Sequence, residues 1–331
     1  MVRPPLVDTH AHFVFDEYVA AARRAGHLVP DRMPAWPEWS AAEHIALMDE
    51  VGVARAVLSL SSPGVRFGPA NETAGLARQV NEFAAAQVRA HPSRFGFFAS
   101  LPLPDVDAAV AEAKFALDAL GAEGFCVMSN ADGVYLGDER YERLWALLDE
   151  RCAIVFVHPT APPDAERLSF DRPYPMLEFV FDEARTVTDL LFAGVLGRFP
   201  EIRFVVSHSG GALPVLLERI DLFFSGPELG GDPARAGTIH DLVARLWFDC
   251  AGTPLPFGLP ALARVVGHER LLYGSDYCFT RPSEVARQMA ALAGDPSEPS
   301  WLDLMAAHAG RLLGDPPMSR QAAGRDPMKG D

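Results

Sequence analysis

Several features that would assign this sequence to common classes are missing. Its four cysteines, Cys126, Cys152, Cys250 and Cys278, are widely spaced and form no C-x-x-C pair. Neither a disulfide frame nor a thiolate zinc site is therefore expected, and all four read as reduced core residues in apolar surroundings. Basic side chains are outnumbered, 29 Lys and Arg against 44 Asp and Glu, for a net charge of −15. That balance lacks the positive face required by nucleic acid or an anionic membrane surface. No uninterrupted apolar run approaches about 18 residues and no signal peptide precedes the first strand-like run, so a soluble, cytoplasmic protein is expected. No G-x-G-x-x-G follows that run, which counts against a dinucleotide-binding doubly wound sheet. An anionic substrate would need a local positive centre, and a metal ion would supply one.

What the chain does have is apolar patterning. With 49% hydrophobic and 22% charged residues over 331 positions, it can bury a large core. Short, almost continuously apolar runs predict buried parallel strands over 6–8, 54–59, 95–101, 124–128, 153–158, 203–208, 246–249 and 271–275. Helical patterns lie between them, over 40–51, 71–91, 105–120, 138–150, 175–199, 214–224, 233–245 and 256–266. Two more, 283–293 and 301–313, follow the last strand. The first opens on a capping-box pair, Ser40 and Glu43. Eight strands, each followed by a helical crossover, predict a (β/α)8 TIM barrel over residues 1–313. The segment 17–39 reads as a stiff loop inserted after strand one, carrying Trp36 and Trp39 among prolines. The tail, 314–331, has no periodicity and reads as disordered.

The barrel rim gathers the chemistry. Asp8-Thr9-His10-Ala11-His12 follows the first apolar run, and alternate side chains of a strand share a face, so His10 and His12 aim at one point. His158 and His208 end two further strands, and Asp276 follows the last. Strand ends on one barrel face are where such enzymes hold their active sites. A lone histidine there is usually a satisfied polar residue; four with a terminal carboxylate imply a site. The other six histidines fall in helices or loops and default to structural or surface roles.

Together Asp8-Thr9-His10-Ala11-His12, Val157-His158-Pro159, Ser207-His208-Ser209-Gly210-Gly211 and Tyr273-Gly274-Ser275-Asp276 resemble the amidohydrolase superfamily. The resemblance is to its amidohydrolase 2 branch, typified by aminocarboxymuconate semialdehyde and γ-resorcylate decarboxylases, and runs to about Leu313. Within that branch the chain looks most like 6-methylsalicylate decarboxylase-like proteins. They share the look of Trp36-Pro37-Glu38-Trp39-Ser40, Ala46-Leu47-Met48-Asp49, Leu58-Ser59-Leu60 and Phe181-Asp182-Glu183-Ala184-Arg185. The resemblance implies one divalent ion held by His10, His12, His158 and Asp276, with His208 as a catalytic histidine, and a homodimer. Three imidazoles and a carboxylate suit Zn²⁺ and admit Mn²⁺. No strand-end lysine resembles the carbamylated residue of two-metal relatives. Two reactions fit such a site. In a non-oxidative decarboxylation of an ortho-hydroxylated aromatic acid, protonated Asp276 would protonate the ring carbon, which requires a raised pKa. In a hydrolysis of a C–C, lactone or amide bond, Asp276 would take a proton from metal-activated water. Arg185, Phe13, Trp36, Trp39 and Phe279 are the expected substrate-binding residues. The carboxylate-binding arginine of the muconate enzyme has no aligned counterpart, Arg32 being the nearest, and Ala307-His308-Ala309 replaces the usual Asn-Ala pair.

Overall fold

The apolar runs form eight parallel strands: β1 (Val7–His12), β2 (Arg55–Ser59), β3 (Phe95–Ser100), β4 (Gly124–Met128), β5 (Ile154–His158), β6 (Arg203–Val206), β7 (Trp247–Asp249) and β8 (Leu271–Leu272). They are hydrogen-bonded in chain order in a computed structural model that describes residues 4–235, 238–297 and 299–314. The tail expected over 314–331 lies outside the described residues from 315 onward. A bridge between Asp8 and Tyr273 brings the last strand to the first, reinforced by Thr9 N–H donating to the Tyr273 carbonyl at 2.9 Å. The nearly closed sheet, wrapped by its crossover helices, is the expected (β/α)8 barrel.

Strand limits move where polar residues carry the ladder. β1 was expected to stop at Asp8 but runs to His12, so both histidines sit on the strand itself. Its register against β2 slips between Asp8 and Ala11, a bulge of the kind that re-aims side chains beside active sites. β6 stops short of His208, whose left-handed backbone (φ 48°) a strand does not accommodate, and β8 stops at Leu272, Tyr273 joining Asp8 only through an isolated bridge.

Inward residues of the strands, among them Val57, Phe98, Phe156, Val205 and Leu272, form a core inside the barrel. Ala309 and Leu312 of the last helix, Trp301–Leu313, plug its floor. His308 bonds the Leu271 carbonyl through Nδ1 at 3.0 Å, so the unusual Ala307-His308-Ala309 ties the closing helix to β8. Each such buried aliphatic or aromatic side chain contributes roughly 1.5–3 kcal/mol. The second core lies between strands and helices.

Other expectations shift locally. Ser40 caps Ala41–Val51 as its capping box implies, its Oγ accepting from Glu43 N–H at 3.2 Å. The inserted segment is not all loop, since it opens with the amphipathic helix Asp16–Arg24, which buries Tyr18 and Ala22. The long helix expected over 175–199 divides into Glu178–Phe192 and Val195–Arg198 at Gly194, whose φ is +72°. All four cysteines are free, but Cys152 is exposed at a helix end and is not a core residue.

Candidate metal centre

Three imidazoles converge because three different acceptors hold the same ring nitrogen. His10 Nδ1 lies 2.9 Å from Asp249 Oδ2, His12 Nδ1 is 3.2 Å from the Ser59 carbonyl, and His158 Nδ1 is 2.7 Å from the Pro159 carbonyl. A carbonyl or carboxylate oxygen can only accept, so each Nδ1 carries a proton and Nε2 is the nitrogen left to bind an ion. Such outer partners are how proteins orient metal-binding histidines. The His10 and His12 Nε2 atoms are 2.9 Å apart, and Asp276 Oδ1 lies 3.5 Å from the first and 3.2 Å from the second. One donor atom from each of His10, His12, His158 and Asp276 falls within 4.8 Å of every other. Two ligands on opposite sides of one ion, each about 2.1 Å from it, are about 4.2 Å apart, so the set needs only a slight contraction to hold a single divalent ion.

The electrostatics prepare two neutral imidazoles, one that holds a proton, and one anion. Burial lowers His12 and His158, and the neighbouring imidazoles push them further down. Burial also disfavours charge on His10, but Asp249 and Asp276 outweigh it and raise its pKa to about 10. A cation entering the site therefore displaces the His10 proton. Because the protonated form dominates below about pH 10, the expected affinity for a divalent ion rises about tenfold per pH unit between pH 6 and 9. Calorimetric titration of Zn²⁺ in buffers of different ionisation enthalpy should show about one proton released per ion; no release would separate His10 from the ligand set.

Asp276 departs from expectation. Burial raises its pKa, as a dry pocket would, but contact with His10 and His12 prevails and holds it well below the usual carboxylate range. It rests as an anion.

His208 stands beside the cluster, its ring centroid 4.9 Å from that of His10. Burial works against its charge, yet the buried Glu183 carboxylate, with Oε2 3.4 Å from Nδ1, raises its pKa. Glu183 is in turn fixed by a hydrogen bond from Ser207. The strained turn has room for this because Gly211, at φ +57°, takes the place where a Cβ would fall 2.3 Å from the Val180 carbonyl oxygen. Sequence reasoning did not single out Asp249 and Glu183. Asp249 ends β7 and its carboxylate was a legible signal; Glu183 lies mid-helix, where nothing in the pattern marks it.

Gly274, within the Tyr273-Gly274-Ser275-Asp276 motif, has no room for a side chain. A Cβ there would lie 2.7 Å from His10 Cβ and 3.0 Å from Asp249 Oδ1. Gly274→Ala is expected to weaken metal affinity about 10–100-fold by displacing this pair, measured by competition with a chelator. Parent-like affinity would show that the pair relaxes without cost.

Of the expected substrate-binding residues, Phe279 lines a cavity of about 220 Å³ with His158, His208 and Asp276. The other four lie elsewhere. Phe13 is fully buried and stacks on Phe83, with ring centroids 5.5 Å apart. Trp36 donates to the His27 carbonyl and packs on Tyr18, and Trp39 donates to His44 Nδ1. These rings are large enough to be consumed by the core beneath the insertion. Arg185 points away from the cluster and bonds Asp182 at 2.5 Å, the i,i+3 pair its spacing allows.

A parallel barrel with three histidines and an aspartate at its C-terminal rim defines a class of mononuclear metal-site (β/α)8 proteins. The family comparison is specific: the amidohydrolase model matches residues 7–300, and the chain belongs to that family. It is 36% identical over 226 residues to decarboxylase yanB of Aspergillus niger, a match covering 64% of this chain and spanning 60% of the length of that relative. To 6-methylsalicylic acid decarboxylase acuB of Aspergillus aculeatus it is 34% identical over 280 residues, covering 82% of this chain and 83% of the other. A dihydroxybenzoic acid decarboxylase from Polaromonas, solved with bound manganese and 2-nitroresorcinol, shares the fold. Its TM-score is 0.79 at 22% identity, covering 94% of this chain and 97% of that one.

Proposed function

We propose that this protein is a metal-dependent non-oxidative decarboxylase of a small ortho-hydroxylated aromatic acid such as 6-methylsalicylate. The observation that carries the reading is the convergence of donor atoms from His10, His12, His158 and Asp276 within 4.8 Å of one another, with His158 and Asp276 lining the 220 Å³ cavity. That volume falls below the roughly 300–1,000 Å³ of pockets for larger ligands, which suits a single ring. Relatives named as decarboxylases of such acids support the same reading.

His10, His12, His158 and Asp276 would hold the ion, with zinc matching the donor set best and manganese, carried by the Polaromonas enzyme, the alternative. When bound, the ion supplies a positive centre for the substrate's carboxylate and phenolic oxygens. Asp276, resting as a carboxylate, takes the proton of the ortho hydroxyl as the substrate seats. It returns that proton to the ring carbon bearing the carboxylate, giving a ring ketone. The C–C bond to the carboxylate then breaks, its electron pair restores the aromatic ring as a phenolate, CO₂ leaves, and solvent protonates the phenolate. His208, whose protonated form Glu183 favours, stabilises the oxygen on which negative charge gathers. Phe179 and Phe279 exclude water from the ring.

Incubating the zinc- or manganese-loaded protein with 6-methylsalicylate and other 2-hydroxybenzoates is expected to release CO₂ and the matching phenol in equal amounts. Turnover of a lactone, ester or amide without CO₂ from any of these acids would put the site in the hydrolase class instead. The same reading includes a cytoplasmic homodimer. Among the described residues no helix is long and apolar enough to cross a membrane. The half-exposed Phe181, Phe192 and Phe223, which line a groove between two outer helices, favour self-association. Light scattering should return twice the chain mass.

A further inference from the structure

The end of the barrel opposite the metal centre gathers charge of its own. Arg203, Arg245 and Arg270 stand two residues ahead of Val205, Trp247 and Leu272, which belong to the core inside the barrel. Period-two alternation therefore carries the three side chains to the floor beneath that core, at the N-terminal ends of β6, β7 and β8. They line one cavity of about 80 Å³. In a chain of net charge −15, three cations around one small cavity call for a counter-charge. Carboxylates do not supply it. Among the described residues none forms an ion pair with any of the three, and Glu269 is engaged by Arg311 at 3.3 Å. Backbone carbonyls take up only part of the donors. Arg203 donates through its two terminal nitrogens to the Leu312 and Cys152 carbonyls, the second at 2.7 Å, and Arg245 donates to the Pro200 carbonyl at 3.0 Å. Arg203 Nε is buried without a partner. Arg270 has no acceptor among the described residues and lies over the Trp247 ring, 5.0 Å from its centroid. Burial and the like charges of Arg311 and Arg245 hold its pKa below the ordinary guanidinium range.

We propose that this floor cavity is a binding site for one small tetrahedral oxyanion of the phosphate class, held by the guanidinium groups of Arg203, Arg245 and Arg270. Guanidinium N–H groups match phosphate oxygens in charge and in spacing, and the leftover donors of all three side chains would be satisfied together. The size fixes the class of ligand. About 80 Å³ is far below the roughly 300–1,000 Å³ of pockets for larger ligands, so a nucleotide or an aromatic acid is too large. The role is structural. A bound oxyanion would join the starts of the last three strands, and Arg203, through the Leu312 carbonyl, extends that link to the closing helix. Metal chemistry at the opposite rim has no part in it, so the site stands whether or not the protein is a decarboxylase.

The test takes the full-length, zinc-loaded protein and adds inorganic phosphate or chloride at equal ionic strength. The calorimetric Tm should rise with phosphate and stay unmoved by chloride, because a ligand that binds only the folded chain stabilises it. Selenate, a tetrahedral oxyanion located in crystals by its anomalous scattering, should lie between the three guanidinium groups. Arg245→Gln and Arg270→Gln alter side chains that are exposed and half-buried. Each should weaken the Kd for phosphate about tenfold or more while keeping the parent's metal content. Glycerol 3-phosphate, whose ester group the cavity has no room for, should bind the parent at least tenfold more weakly than phosphate. Equal response to phosphate and chloride overturns the site, as does a phosphate Kd unchanged in both variants. Selenate found at the metal centre alone overturns it without recourse to any variant. Tighter binding of the ester would overturn the assignment to a free oxyanion.

Discussion

Asp276→Asn is expected to lower kcat for CO₂ release by about 10³-fold or more. In the proposed reaction Asp276 would serve twice, contributing an oxygen to the donor set and carrying the proton between the substrate hydroxyl and the ring carbon. An amide can neither take up nor deliver that proton, and removal of a general acid or base alone costs about 10²–10⁴-fold. Asparagine is the informative replacement because, like aspartate, it tolerates the left-handed backbone at this position, φ +58°, so the loss is not a folding defect. Circular dichroism and metal content separate the two contributions. Activity within tenfold of the parent, with the ion retained, would remove Asp276 from the proton path.

His208→Asn should retain the ion and still lose about 10²–10⁴ in kcat. His208 lies outside the four-donor group, yet its ring is 4.9 Å from His10 and faces the same cavity. Here too the backbone is left-handed, φ +48°, and asparagine accommodates it where alanine would be strained. The protonated form that Glu183 favours is the feature being tested. Below the pKa of His208 the imidazole is charged and assists; above it the assistance disappears, so the parent should lose activity on the alkaline side, at a pH higher than an ordinary histidine would set. Glu183→Gln should move that alkaline limb to lower pH, since the carboxylate that outweighs burial would be gone. An unmoved limb would show that another group sets it.

The barrel was legible because its strands are covered on both sides and so are written as unbroken apolar runs. Their ends were not, since the ladder continues through Thr9-His10-Ala11-His12, where polarity suggests a loop. The convergence of His10, His12, His158 and Asp276 on one rim was likewise legible, from period-two alternation and from positions at strand ends. The aromatic residues were misplaced for a physical reason. Phe13, Trp36 and Trp39 are as suitable for a core as for a pocket wall, and only their packing against Phe83, Tyr18 and His44 decides between the two.

By itself, the sequence determined the order and burial of the barrel strands and the identity of the groups carried to their ends, because both follow from local periodicity. The tertiary structure decided which nitrogen His10 and His12 present, because Asp249 and Ser59 reach those rings from other strands, whereas His158 is set by the carbonyl of its neighbour Pro159. It also decided the charge on Asp276 and His208. Each is set by a balance between burial and a partner far away in the chain or on another element, which no stretch of sequence displays.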